Sequence, residues 1–251
     1  MPETKPAGQA SAAEGTEFSV SSVVATLKIL NRHSFFRRLT LVLTLGAVAL
    51  AGKQIILHPY MMSYFGMQKE TMAWLLPAAA PSLVLCFTVG MGKLVPVLGE
   101  VSVLQWSMLA NVCLTLAVVE SAQMWQVFVA YAILAGPGLM FVPLTSAIKS
   151  NLCTDAEQGR VQGVIAAVRQ FATSFADVAF GALYSYSTDG GEHPQGARWA
   201  LWVVVGLNAS AAAVAWGLPQ TYPPPPGYEA VVEKDGGAIE LGSGHLGLNK
   251  E

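Results

Sequence analysis

The chain has 251 residues, 53% of them hydrophobic and 12% charged, against roughly a quarter charged in soluble domains. Its net charge of −2 leaves no basic footprint for nucleic acid. Cys86, Cys113 and Cys153 lack the CxxC spacing of a zinc site and the pattern of a disulfide framework.

The apolar residues gather in runs of about 20, the length that crosses a ~30 Å hydrocarbon core as a helix. Strict period-2 alternation is absent, which argues against the other backbone-satisfying solution in lipid, a closed barrel. The expectation is an all-α membrane protein with six transmembrane helices and membrane lipid as its solvent.

In chain order, residues 1–34 read as a disordered N-terminus followed by an amphipathic linker. Pro, Ala, Gly, Ser and Glu dominate its start and offer little to bury. A basic n-region and apolar core, the marks of a cleaved signal peptide, are not evident there. Val20, Val23, Val24, Leu27 and Leu30 then recur at helical spacing, ahead of a basic collar at Arg32, His33, Arg37 and Arg38. Residues 35–218 form the bundle. Its six apolar segments are residues 39–65, 72–89, 101–119, 125–148, 164–184 and 200–218. Residues 219–251 are a Pro-rich disordered tail, with four consecutive prolines at 223–226 that favour polyproline II. Trp74, Trp125, Trp199 and Trp216 lie near segment ends, as interface anchors do.

Orientation follows from basic residues in the short flanks. The N-terminal side holds Lys28, Arg32, Arg37, Arg38, Lys93, Lys149 and Arg160, with Lys234 and Lys250 in the tail. The opposite side holds Lys69 and Arg198. The N-terminal side is therefore cytoplasmic, and an even helix count returns the C-terminus to it.

Ionisable groups inside the spans cost roughly 2.5–3.5 kcal/mol each on insertion scales, so each needs a reason. Lys53, Gln54 and His58 fall in the polar second half of the first segment. Lys53 and His58 are about 140° apart around a helix at 100° per residue. Pro59 follows and is expected to kink the helix, as a wall of a water-filled path. His58 is of the residue type that changes charge near neutral pH and relays protons. Arg169 and Asp177, in the fifth segment, lie roughly 12 Å apart along a helix axis, too far to pair directly. Lys53 is the candidate partner of Asp177. The alternative for every one of these groups is structural: snorkelling to an interface, or an ion pair inside the bundle. Gly136-Pro137-Gly138 in the fourth segment combines a lost helix hydrogen bond with flexible neighbours. It fits either a gating hinge or a static kink. Asn208, within the sixth segment, reads as a helix–helix hydrogen bond at most.

The stretch from Thr154 to Gly163 reads Thr-Asp-Ala-Glu-Gln-Gly-Arg-Val-Gln-Gly. Thr154 and Glu157 match a capping box, and Gly159 and Gly163 have the small-xxx-small spacing that lets helices approach. This run, with Glu157, Gly159, Gln162 and Gly163, resembles the loop before the eleventh helix of major facilitator transporters. It is most similar to the tetracycline-resistance-type drug antiporters and their hippocampus-abundant-transcript-like relatives. Arg169 matches the arginine of the helix that follows in that group. Ala176-Asp177 stands where the group often has Gly-Pro, so no inherited role attaches to Asp177. Ala51-Gly52-Lys53-Gln54 is similar to an Ala-Gly-Gln stretch in the group's seventh helix.

The resemblance implies that the segments are helices seven to twelve, one six-helix half of the fold. The third and sixth segments become the outer, lipid-facing pair, and the fourth becomes a path-lining helix. It further implies transport of a small organic solute by alternating access, with protons as the coupling ion and a second six-helix bundle as partner, from the same chain if longer or from another copy. Substrate binds between two such bundles, and residues before 18 supply no second one. The competing expectation is a truncated, non-transporting membrane subunit that assembles with a full-length partner. Enzymatic activity, a cofactor and a metal are not expected, because no phosphate loop, metal-spaced cluster or catalytic set stands out.

Overall fold

The computed structural model describes residues 34–152, 155–188 and 196–220, among which every regular element is helical. The amphipathic linker before residue 34 and the polyproline tail after 220 lie outside the described residues. The first helix, α1, runs Ser34–Phe65, so the basic pair Arg37 and Arg38 belongs to its first turns rather than to a linker. Leu39, Val42, Leu43, Ala47, Lys53, Ile56, Leu57, Tyr60 and Met61 are buried along it, a stripe at i, i+3, i+4 spacing. Leu41, Ile55 and Met62 face outward. Pro59 lies inside the helix without interrupting it, so the expected kink is not a break.

The second segment is longer and more irregular than its apolar run suggested. It comprises α2 (Lys69–Ala73), α3 (Leu75–Leu85), a π-helical stretch Cys86–Leu94 and α4 (Val95–Leu98). The region 92–98, between the second and third apolar segments, is therefore helical. The turn falls at Gly99, whose φ of 84° suits a residue without Cβ. Next come α5 (Glu100–Glu120), α6 (Met124–Leu139) and α7 (Phe141–Asn151). The last two are one segment broken at Met140, between Pro137 and Pro143, each of which removes a backbone donor. The helices α8 (Asp155–Ser187) and α9 (Gly196–Trp216) complete the set.

Each of the six predicted segments is helical, but five stretches among the described residues are long and apolar enough to cross a membrane: Ser34–Phe65, Lys69–Leu98, Glu100–Glu120, Met124–Asn151 and Gly196–Trp216. The helix α8 has the length, at 33 residues, but is not among them. Arg169, Asp177 and the glutamines at 158, 162 and 170 lower its hydropathy. Five of the six expected spans thus have the length and hydropathy of a crossing, and the sixth region, α8, is a long helix of lower hydropathy.

Around the bundle, α1 packs against α8 and α9, α9 against α5, α5 against α6, and α6 against α3. Two apolar clusters fill it. One holds Leu39, Val42, Leu104, Met108, Phe141 and Ala211; the other holds Ile56, Leu114, Val118, Val127, Leu201 and Val204. Asn111 on α5 and Asn208 on α9 fall between the clusters, each flanked by apolar neighbours three residues either side. Arg38 Nη1 donates to the carbonyl of Gly217 at 2.7 Å, which brings the two ends of the described bundle to the same side.

Candidate functional site

Lys53 is 4% exposed. Its Nζ donates to Asn111 Oδ1 at 3.2 Å. Asn111 Nδ2 donates to Asn208 Oδ1 at 3.2 Å, and Asn208 Nδ2 donates to Thr115 Oγ1 at 3.1 Å. The Thr115 hydroxyl donates back to the Asn111 carbonyl at 2.9 Å. A buried polar relay thus ties α1, α5 and α9 at mid-height. It also corrects the expected partner of Lys53, which is Asn111 and not Asp177. The sequence reading placed α5 and α9 as an outer pair and missed Asn111 and Thr115. The available signal was an amide in the middle of an apolar run, since an unpaired amide in lipid is costly.

Lys53 also lines a cavity of about 340 Å³ between α1, α3, α5 and α6. Gln54, His58 and Tyr131 join it there, with leucines on the remaining wall. His58 is exposed, and its Nδ1 lies 3.2 Å from the Gln54 carbonyl.

A second cavity, of about 380 Å³, opens between α1, α7 and α8, where Gln54, Phe141, Arg169, Gln170, Thr173 and Asp177 meet. Leu50 and Gln54 line both cavities, so the two flank α1. Arg169 and Asp177 share this space as exposed side chains. Among the described residues, neither forms an ion pair, whereas Arg198 and Glu120 do, at 2.8 Å.

Gly136-Pro137-Gly138 is clamped rather than free. Gly136 N–H donates to Ser82 Oγ at 3.1 Å, and a Cβ on Gly136 would collide with the Ser82 carbonyl. Ser107 Oγ donates to the Pro137 carbonyl at 2.7 Å. Gly138 lies close against the Asn111 backbone. The motif is where α6 meets α3 on one side and α5 on the other.

In the loop motif, Thr154 and the Glu157 side chain lie outside the described residues, and with them the expected capping box. Gly159, Gln162 and Gly163 are exposed. A Cβ at either glycine would meet nothing within 4 Å, so the close helix approach expected of that pair does not occur among the described residues. Gln158 Nε2 instead donates to Ser150 Oγ, joining α8 to α7. No group of three His, Cys, Asp or Glu side chains gathers among the described residues.

Apolar helices thus enclose a polar mid-height, with a cavity on either side of α1. The sequence matches the model of the Major Facilitator Superfamily over residues 39–243. The chain belongs to that superfamily. No curated protein and no solved structure matches it. As a major facilitator protein it is an integral, multi-pass membrane protein whose family function is transport, a non-enzymatic role. The match covers all the helices from residue 39 onward and therefore both cavities.

Proposed function

We propose that this chain forms one six-helix half of an alternating-access transporter for a small organic solute, coupled to protons. The observation that carries the reading is the pair Arg169 and Asp177, exposed on α8 and without an ion-pair partner among the described residues. Charged side chains facing lipid cost roughly 2.5–3.5 kcal/mol each. Their face therefore belongs against water or protein, as at the contact between two halves of a carrier. Phe171, Phe175 and Val178 on the same helix are more than two-thirds exposed, an apolar surface suited to a second bundle, from the same chain or from another copy.

In this reading Lys53, Gln54 and His58 face the solute, and Asp177 with His58 exchanges the coupling protons. The clamp at Gly136-Pro137-Gly138 and the break at Met140 mark where α6 and α7 move against α3 and α5. The loop motif at Glu157, Gly159, Gln162 and Gly163 supports a place near the tetracycline-resistance-type antiporters. Both ends of the bundle lie on the cytoplasmic side, supported by the basic flanks and by Arg38 meeting Gly217.

The test is uptake into proteoliposomes under an imposed pH gradient, with the native and Asp177→Asn proteins. Gradient-driven uptake that the substitution abolishes supports the reading. Absence of uptake from a protein that still co-purifies with a second bundle favours the competing one, a subunit that only assembles.

A further inference from the structure

Lys53 carries three donors and has one neutral acceptor among the described residues, Asn111 Oδ1. The relay behind it sets the polarity. Asn111 Nδ2 is committed to Asn208, and Asn208 Nδ2 to Thr115, so an oxygen and not an N–H is turned toward the amine. Among the described residues no Asp or Glu lines the cavity beside Lys53, and Lys53 makes no ion pair. Lys53 thus lines, with no carboxylate beside it, a space whose lining is otherwise largely apolar and includes Met72, Leu75, Leu83, Leu114 and Leu139. At about 340 Å³ the space lies in the size range of small-ligand sites.

We infer that this cavity binds a small amphipathic monoanion, its carboxylate against Lys53 Nζ and its hydrocarbon body along the leucine wall. The inference rests on the transport reading above and names its substrate class. Among the described residues Lys53 is the one lysine or arginine lining this cavity, so the fixed charge it offers matches a single carboxylate. Arg169 belongs to the cavity across α1. A small inorganic anion would satisfy Lys53 and leave the leucine wall wet, whereas an alkyl chain removes that surface from water at roughly 0.8 kcal/mol per buried CH₂. His58 Nε2 and the Gln54 side chain supply further polar groups around the headgroup.

The experiment uses the full chain in lipid nanodiscs and three probes with one alkyl chain: octanoate, octylammonium and 1-octanol, titrated calorimetrically at neutral pH. Octanoate is expected to bind at least about tenfold more tightly than the other two, roughly 1.4 kcal/mol. Lys53→Met is expected to erase that margin and leave octanol binding in place, and Lys53→Arg to keep it. Leu83→Trp, which fills the cavity and leaves Lys53 intact, is expected to block octanoate, so the proposal stays open to refutation even if Lys53→Met fails to fold. Equal binding of the three probes, or octanoate affinity unchanged in either Lys53→Met or Leu83→Trp, overturns it. Uptake in proteoliposomes separates the two readings. Octanoate bound but never transported counts against the carrier and preserves the anion site. Transport of octylammonium in preference to octanoate preserves the carrier and overturns the anion site.

Discussion

Lys53 Nζ and Asn111 Oδ1 meet at 3.2 Å between two apolar clusters, across 58 residues of sequence. A single neutral amide oxygen is the described protein partner of a buried lysine. Asn111→Leu removes it and leaves the donor unsatisfied, at about 1–3 kcal/mol. We expect lower resistance to detergent-driven unfolding by that amount, and recovery of most of it when Lys53→Met is added. Simple additivity of the two changes in a double-mutant cycle would show that the contact is energetically idle.

Asn208 accepts from Asn111 and donates to Thr115. Hydrogen bonds between membrane helices average about 0.6 kcal/mol, so Asn208→Ala is expected to cost about 1 kcal/mol. Adding Thr115→Val should bring less than its separate cost, because the two residues share one relay. The same unfolding assay reads both.

Glycines in this chain divide by what surrounds them. Gly136→Ala places a methyl into the Ser82 backbone, and overpacking of this kind costs about 1–3 kcal/mol. Gly159 meets only open space inside α8, where alanine is the better helix former by about 0.5–1 kcal/mol. Thermal denaturation in detergent should therefore move down for Gly136→Ala and up, or not at all, for Gly159→Ala.

Arg198 and Glu120 join the start of α9 to the end of α5, but their side chains are 39% and 57% exposed. Exposed pairs contribute less than about 1 kcal/mol. Arg198→Gln is expected to leave stability nearly unchanged, and a larger loss would place this pair in a drier setting than its exposure indicates.

Asp177 lies in the α1–α7–α8 cavity and forms no ion pair among the described residues. Asp177→Asn keeps its size and removes its charge. The expected outcome is loss of pH-gradient-driven uptake with unchanged yield and oligomeric state. A coupled fall in yield would instead mark Asp177 as an assembly residue.

Much of the architecture is written locally in the chain. A run of apolar residues about 20 long must become a helix in lipid, because its backbone groups have no other partners. That is why the six helical regions were legible; the run with Glu157, Gly159, Gln162 and Gly163, followed by Arg169, carried the likeness to the superfamily. Helix ends were less legible. The stretch 92–98 carries a glycine and a proline and lies between two apolar runs, yet a π-helical stretch and a final α turn carry the helix through to Leu98.

What sequence alone determined is the number of helical segments, their membrane setting and the list of polar residues that need partners. What only the tertiary structure decided is which of those residues meet. Helical periodicity assigns a residue to a face of its own helix but does not say which neighbour covers that face. Lys53 therefore looked as ready to pair with Asp177 as with any other group. Packing of α1 and α5 on α9 brought it instead to Asn111 and left Asp177 in a separate cavity. The charges of α8 were visible from the first reading; their exposure followed from how the other helices close on one another without them.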